Sequence, residues 1–284
     1  MGIQSLSYGD GVRIAILDSG IPPLAMGKDP KDEYAKLLDE FGHATAISSI
    51  LFGGGPIKGI CEESKPVFIK VLDSKGNGSV KSVVKGLYEA LESDVDLINL
   101  SLGFVRTEKC PEELKKACSD VYNAQKTIIC AAGNDGGPVN WPAALKTTIC
   151  VGCSDKNGQK TAFSSSGEVD FVAPGVNLPV LSLDGTVQQV SGTSFATALV
   201  TGIAALLISS MRNHESAPKM PKIGFEKVKN ALLKLTIDVD APGWDENTGF
   251  GLISGSKMNT VDLKTRSSIF GTIIERIKKF FISR

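Results

Sequence analysis

The 284-residue sequence has no surplus of either charge, since 31 Lys and Arg balance 31 Asp and Glu. A dedicated nucleic-acid binder usually carries a basic excess, so none is expected as a partner. No run of about 18 apolar residues occurs, so no membrane-spanning helix is expected. The opening MGIQSLSYGD lacks the basic and apolar regions of a secretion signal, which makes the expected location cytoplasmic. The six cysteines then read as reduced thiols. Cys150 and Cys153 form a C-x-x-C, but TTICVGC reads as a strand, on which residues three apart face opposite sides. No second Cys or His pair completes a metal site, so neither metal nor cofactor is expected. Internal repeats and low-complexity linkers are also absent.

What is present is a chain able to bury a large core. It is 42% hydrophobic and 22% charged, which excludes global disorder. Residues 12–17, VRIAIL, form a continuous apolar run. Similar runs recur at Pro66–Leu72, Val95–Leu100, Thr127–Ala131, Thr148–Gly152 and Val169–Val172. Such runs read as strands buried on both faces of a parallel sheet. Between them, Ser79–Ser93 carries apolar residues at helical spacing, and Pro111–Gln125 opens with proline, a helix-start signal. The alternation predicts an α/β fold, a mainly parallel sheet with helices on both faces. The polar Met211–Phe225, with two prolines, reads as a surface loop between helices and places His214 in solvent.

Four residues stand out chemically. Asp18 ends the first strand, where functional groups gather in open α/β sheets, although a turn aspartate would look the same. His43 follows Gly42 and opens an apolar helical pattern; a lone histidine is more often structural, yet His214 is the sole other histidine. Ser194, in VSGTSFATALVTGIAALLIS, sits where a buried helix begins, so backbone N–H groups there favour developing negative charge. A simple N-cap is the bland alternative. Asn134, in IICAAGNDGG, is either an amide donor to an oxyanion or ordinary turn chemistry.

Taken together these segments resemble the subtilisin-like serine protease family. Asp18-Ser19-Gly20 resembles its aspartate motif and Asp39–Thr45 (DEFGHAT) its histidine motif. Ser191–Thr197 (SGTSFAT) resembles the serine motif and Ala131–Asn134 (AAGN) the oxyanion motif. Val95–Gly103, Val172–Val176 and Thr248–Ile253 are further landmarks, so the likeness runs from about residue 11 to about residue 258. Each motif is weak alone; their shared order carries the weight. The resemblance implies a three-layer subtilisin-like fold over residues 1–263. It implies that Asp18, His43 and Ser194 act as a triad, with Asn134 donating to the oxyanion. Ser101, Leu102 and Gly103 would pair with substrate backbone. Ala131, Ala132 and Gly133 would line the pocket for the residue before the cut, with Asn140 near its floor favouring a small or polar side chain. Phe104 would rim the groove further along the peptide.

The chain departs from the family pattern in four places. The first core strand begins near residue 12, which suggests a chain that folds without a prodomain. Ala44 stands where glycine is usual after the histidine. Ala198 replaces a proline usually found shortly after the serine, which should leave that helix more regular. Residues 52–60 supply no Asp, Glu, Asn or Gln side chain, so a calcium site common in the family at this point is expected to be absent.

Residues 264–284 form a basic amphipathic segment with Ile269, Phe270, Ile273, Ile274, Ile277, Phe280 and Phe281 at helical spacing. It reads as a helix docked on the body, or one touching an anionic membrane surface or a partner. The expected function is a monomeric serine endopeptidase of narrow specificity acting on a peptide or protein substrate, as in maturation or leader-peptide removal. The alternatives are a catalytically silent pseudoprotease that grips peptides, and an esterase, which would want G-x-S-x-G where the sequence has G-T-S-F-A.

Overall fold

The computed structural model describes residues 8–26, 36–106, 109–214 and 222–253. The basic segment 264–284 lies outside them. The strands are β1 (Arg13–Asp18), β2 (Lys65–Lys70), β3 (Leu97–Leu100), β4 (Thr127–Ala131), β5 (Thr148–Ser154), β6 (Phe171–Pro174), β7 (Leu178–Leu181), β8 (Val187–Val190), β9 (Thr236–Ile237) and β10 (Leu252–Ile253). The helices are α1 (Pro23–Met26), α2 (His43–Phe52), α3 (Val80–Glu92), α4 (Glu112–Asn123), α5 (Thr193–His214) and α6 (Phe225–Leu233).

Eight strands form one sheet in the order β2-β1-β3-β4-β5-β6-β10-β9, and β7 and β8 make a separate hairpin. Every pairing in the large sheet is parallel except β10 with β9. The apolar runs alternate between two cores. Ile14 and Ile16 of β1 face a cluster that contains α2, α5 and α6, while Ala15 and Leu17 face one built on α3 and α4. Period-two alternation with both faces buried is what a continuous apolar strand requires. The expected three-layer α/β architecture is the one observed.

From β1 the chain moves outward to β2, then returns to the other side of β1 for β3. This reversal puts α2 on one face and α3 on the other, as crossovers of a single hand demand. It also makes the carboxyl ends of β1 and β3 a switch point, the usual place for a site in such sheets.

α5 is long and apolar enough over Thr193–Arg212 to cross a membrane, but 89% of its most apolar window is buried inside the protein. It is the central core helix. Leu199, Val200, Ile203, Leu206 and Leu207 are all buried. Each contributes about 1.5–3 kcal/mol relative to an exposed position. The helix runs to His214, which corrects the reading of Met211–His214 as loop. Arg212 explains the extension: its guanidinium donates to the Gly11 carbonyl (2.6 Å) and pairs with Asp96 (3.0 Å), holding the last turn against β1 and β3.

All six cysteines are free and buried. Burial pushes the Cys118 thiol up to about 12 and, despite hydrogen bonds, the Cys153 thiol to about 11. Both stay protonated at neutral pH and are poor nucleophiles.

Candidate active site

Asp18 is the last residue of β1 and is fully buried. His43 is the first residue of α2. Its Nδ1 lies 2.9 Å from both carboxylate oxygens of Asp18. The start of α2 is fixed by Asp39 and Ser19, side chains to which the sequence alone assigns no role. The Asp39 carboxylate accepts from the N–H groups of Phe41 (3.1 Å), Gly42 (2.7 Å) and Thr45 (2.8 Å), and from the Thr45 hydroxyl (2.6 Å). Ser19 Oγ donates to Asp39 (2.8 Å) and accepts from the Ala44 N–H (3.0 Å). The Ser19 N–H donates to Asp18 Oδ1 at 2.7 Å. Orphan donors at the start of α2 are thereby satisfied, and both partners of the Asp18–His43 contact are held. An aspartate three residues before glycine was the available signal.

These charges set the imidazole. Burial lowers its pKa, but Asp18 beside Nδ1, the hydrogen bond to it and the more distant Asp39 charge outweigh burial, and the net direction is upward. Burial acts to raise the Asp39 carboxyl, yet its bonds from Thr45, Gly42 and Ser19 hold it below the usual carboxylate range.

Ser194 is the second residue of α5 and 9% exposed. As a first-turn residue its N–H has no intrahelical partner. Its hydroxyl donates to the Ser101 carbonyl at 2.9 Å, and Ser101 Oγ donates back to the Ser194 carbonyl at 2.8 Å. Among the described residues no hydrogen bond joins His43 to Ser194. The phenyl ring of the next residue, Phe195, does reach His43, with ring centroids 5.8 Å apart.

Asn134 follows β4. Its Oδ1 accepts from Thr193 N–H (2.9 Å) and Thr193 Oγ1 (3.0 Å). With the oxygen so used, the amide nitrogen is the group left to donate beside the start of α5.

Ser101–Gly103 continue past β3 without ladder partners of their own, and Phe104 pairs with Trp141 through two backbone bonds of 2.8 and 3.0 Å. Opposite lie Ala131, Ala132 and Gly133. Gly133 has φ +123°, and a Cβ there would stand 2.6 Å from Ser165 Oγ and 2.7 Å from the Asn140 amide, so only glycine fits. Asn140 lies between the two walls, since a Cβ on Gly103 would also meet it, at 3.0 Å. Its Oδ1 is buried without a hydrogen-bond partner among the described residues.

Gly53–Lys58 turns through Gly54 and Ile57, which exchange backbone bonds of 2.8 and 2.9 Å, and it offers no carboxylate or amide side chain.

A carboxylate–imidazole pair, a serine at a helix start and a side-chain amide are thus gathered at strand ends of an α/β fold with a mainly parallel sheet. The chain belongs to the subtilase family, whose model (Peptidase_S8) matches residues 9–251. It is 31% identical to the minor extracellular protease Epr of Bacillus subtilis over 86% of this chain, and 31% identical to Subtilisin E of the same organism over 73%. It spans 38% of the length of Epr and 58% of Subtilisin E. Among solved structures, the prenylagaramide maturation protease PagA superposes with a TM-score of 0.74 at 26% identity, over 95% of both chains. The protease domain of PatA shares the fold, with a TM-score of 0.74 at 24% identity over 96% of this chain and 98% of that one.

Proposed function

We propose that this protein is a serine endopeptidase in which Asp18, His43 and Ser194 form the catalytic triad. The observation that carries the reading is the buried Asp18 carboxylate set 2.9 Å from Nδ1 of His43, which leaves Nε2 as the basic nitrogen on the open side. Ser194 Oγ attacks the scissile carbonyl while His43 takes its proton and later gives it to the leaving amine. Asp18 holds the tautomer and stabilises the imidazolium. The Asn134 amide and the Ser194 N–H stabilise the tetrahedral oxyanion.

Substrate binds as a strand along Ser101–Gly103. The carbonyl of Ser101 then has two suitors. At rest it accepts from Ser194 Oγ, and in the complex it accepts from a peptide N–H, which frees the hydroxyl to turn to His43. Contacts of this kind commonly tighten only in the complex. Asn140, with its unpartnered Oδ1, favours a small or polar side chain before the cut, one able to donate a hydrogen bond.

The role we infer is narrow, the maturation of a particular peptide. Its support is the similarity to PagA, which is named as a maturation protease. The one observation that favours the second reading, a peptide-gripping pseudoprotease, is the Ser194 hydroxyl turned to Ser101. Turnover of peptides by wild type and not by Ser194→Ala separates the two.

A further inference from the structure

At the amino ends of β1, β3 and β4, the opposite end of the sheet from Asp18, the structure has a cavity of about 450 Å³. Ile14 pairs with Leu97 and Leu97 with Thr127, so the residues just before them form one row across the three strands. That row is Arg13, Asp96 and Lys126, and all three line the cavity. Two of its charges are already engaged. Asp96 pairs with Arg212 (3.0 Å) and accepts from the Arg13 N–H (3.0 Å). The buried Lys126 ammonium donates to the carbonyls of Ala90 (3.0 Å), Leu91 (2.8 Å) and Ser93, where α3 ends. Four other charges on the walls are not engaged. Among the described residues Arg13, Lys222, Glu92 and Asp94 enter no ion pair. They lie close around Lys126: burial and then the Lys222 charge lower its pKa, against the opposing pull of Asp94 and Asp96.

The unengaged charges are two of each sign. A lone anion in the cavity would meet Glu92 and Asp94, and a lone cation would meet Arg13 and Lys222. A ligand carrying one charge of each sign satisfies both. We infer that this cavity is a binding site for a short peptide with free ends, its carboxylate toward Arg13 and Lys222 and its ammonium toward Glu92 and Asp94. Size supports the assignment. A protein cavity of about 150 Å³ suffices for benzene, so one about three times larger suits two or three residues better than a single amino acid. Val95 and Leu91 supply an apolar wall for its side chains. Gln125 marks the rim. It follows α4 at φ +59°, a left-handed position that glycine usually takes after a helix. A residue held in so sparsely populated a conformation points to a functional place in the fold. Its side-chain amide is a hydrogen-bonding group suited to a peptide backbone. The inference goes beyond the peptidase reading and does not rest on it, since neither Ser194 nor His43 lines this cavity.

The test is titration calorimetry of trialanine on the full-length Ser194→Ala protein, in which turnover cannot interfere. N-acetyl-trialanine and trialanine amide are the capped controls. Trialanine should bind saturably, and each cap should weaken it about 10-fold or more, as expected for loss of a hydrogen-bonded charge. Adding Arg13→Gln with Lys222→Gln should weaken trialanine by a similar factor and remove the effect of amidation. Adding Glu92→Gln with Asp94→Asn should do the same for acetylation. Arg13→Lys should keep most of the affinity. All four positions are exposed, and each ratio of capped to free peptide is read within one variant, so partial unfolding cannot imitate the pattern. Absence of saturable binding overturns the inference. So does equal affinity for free and capped peptides. Binding that both double variants leave intact places the peptide elsewhere, as in the groove along Ser101–Gly103, and overturns it too. None of these outcomes touches the peptidase reading, which labelling of Ser194 decides.

Discussion

Ser194 and Ser101 exchange two hydrogen bonds, each hydroxyl donating to the other's carbonyl at 2.9 and 2.8 Å. The start of the core helix is thus stitched to the edge on which substrate is proposed to pair. The stitch continues inward. Asn99 Nδ2 donates to Ser101 Oγ (2.9 Å), and Thr201 Oγ1, one helical turn past Thr197, donates to Asn99 Oδ1 (3.0 Å). Every member is buried, so the network fixes the serine relative to β3 at the cost of being expensive to break.

Ser101→Ala removes the return bond and strands the Asn99 amide. It should cost about 1–3 kcal/mol of stability, read as a lower melting temperature. Fluorophosphonate labelling should survive, because the Ser101 hydroxyl bonds the Ser194 carbonyl and makes no hydrogen bond to Ser194 Oγ. Unchanged stability would mean the network is slack.

The acid limb of the pH–rate profile should have its midpoint above 6.5, the ordinary histidine value, since Asp18 and Asp39 outweigh burial at His43. The base must be neutral to act, so activity falls as pH drops through that raised value. Asp39→Asn should move the midpoint down. The same shift has a stability face. A raised pKa in the folded state stabilises fully below 6.5, and that contribution is lost as pH rises through the folded value. A midpoint below 6.5 would contradict the electrostatics.

The sequence reveals the sheet because buried parallel strands follow a local pattern, while the roles of Asp18, His43, Ser194 and Asn134 rest on the family resemblance. The apolar runs starting at residue 12 and at Thr127 lie within a residue of β1 and β4, and Asp18 sits at the end of its strand, where open α/β sheets gather functional groups. What it hides is long-range or unpatterned. The Ser101–Ser194 exchange joins residues 93 apart and depends on how α5 docks on β3. The last turn of α5 is polar in sequence and helical only because Asp96 and Gly11 receive Arg212.

Asn134→Ala should lower kcat by about 10²–10³ with little change in KM, measured on any peptide the enzyme turns over. That magnitude is the one measured for the equivalent amide in subtilisin, a member of the same family. A loss confined to KM would move Asn134 from oxyanion stabilisation to substrate binding.

EDTA should change neither labelling rate nor melting temperature. Among the described residues no cluster of three His, Cys, Asp or Glu side chains stands ready for a metal, and the loop after α2 lacks oxygen ligands. A clear fall in melting temperature, reversed by calcium, would show a site elsewhere.

The most direct test is fluorophosphonate labelling of the purified protein, with the modified residue located by mass spectrometry, beside Ser194→Ala and His43→Ala. The account predicts one adduct, on Ser194, absent from Ser194→Ala and greatly slowed in His43→Ala. Failure of wild type to label, or an adduct that persists in Ser194→Ala, would contradict it.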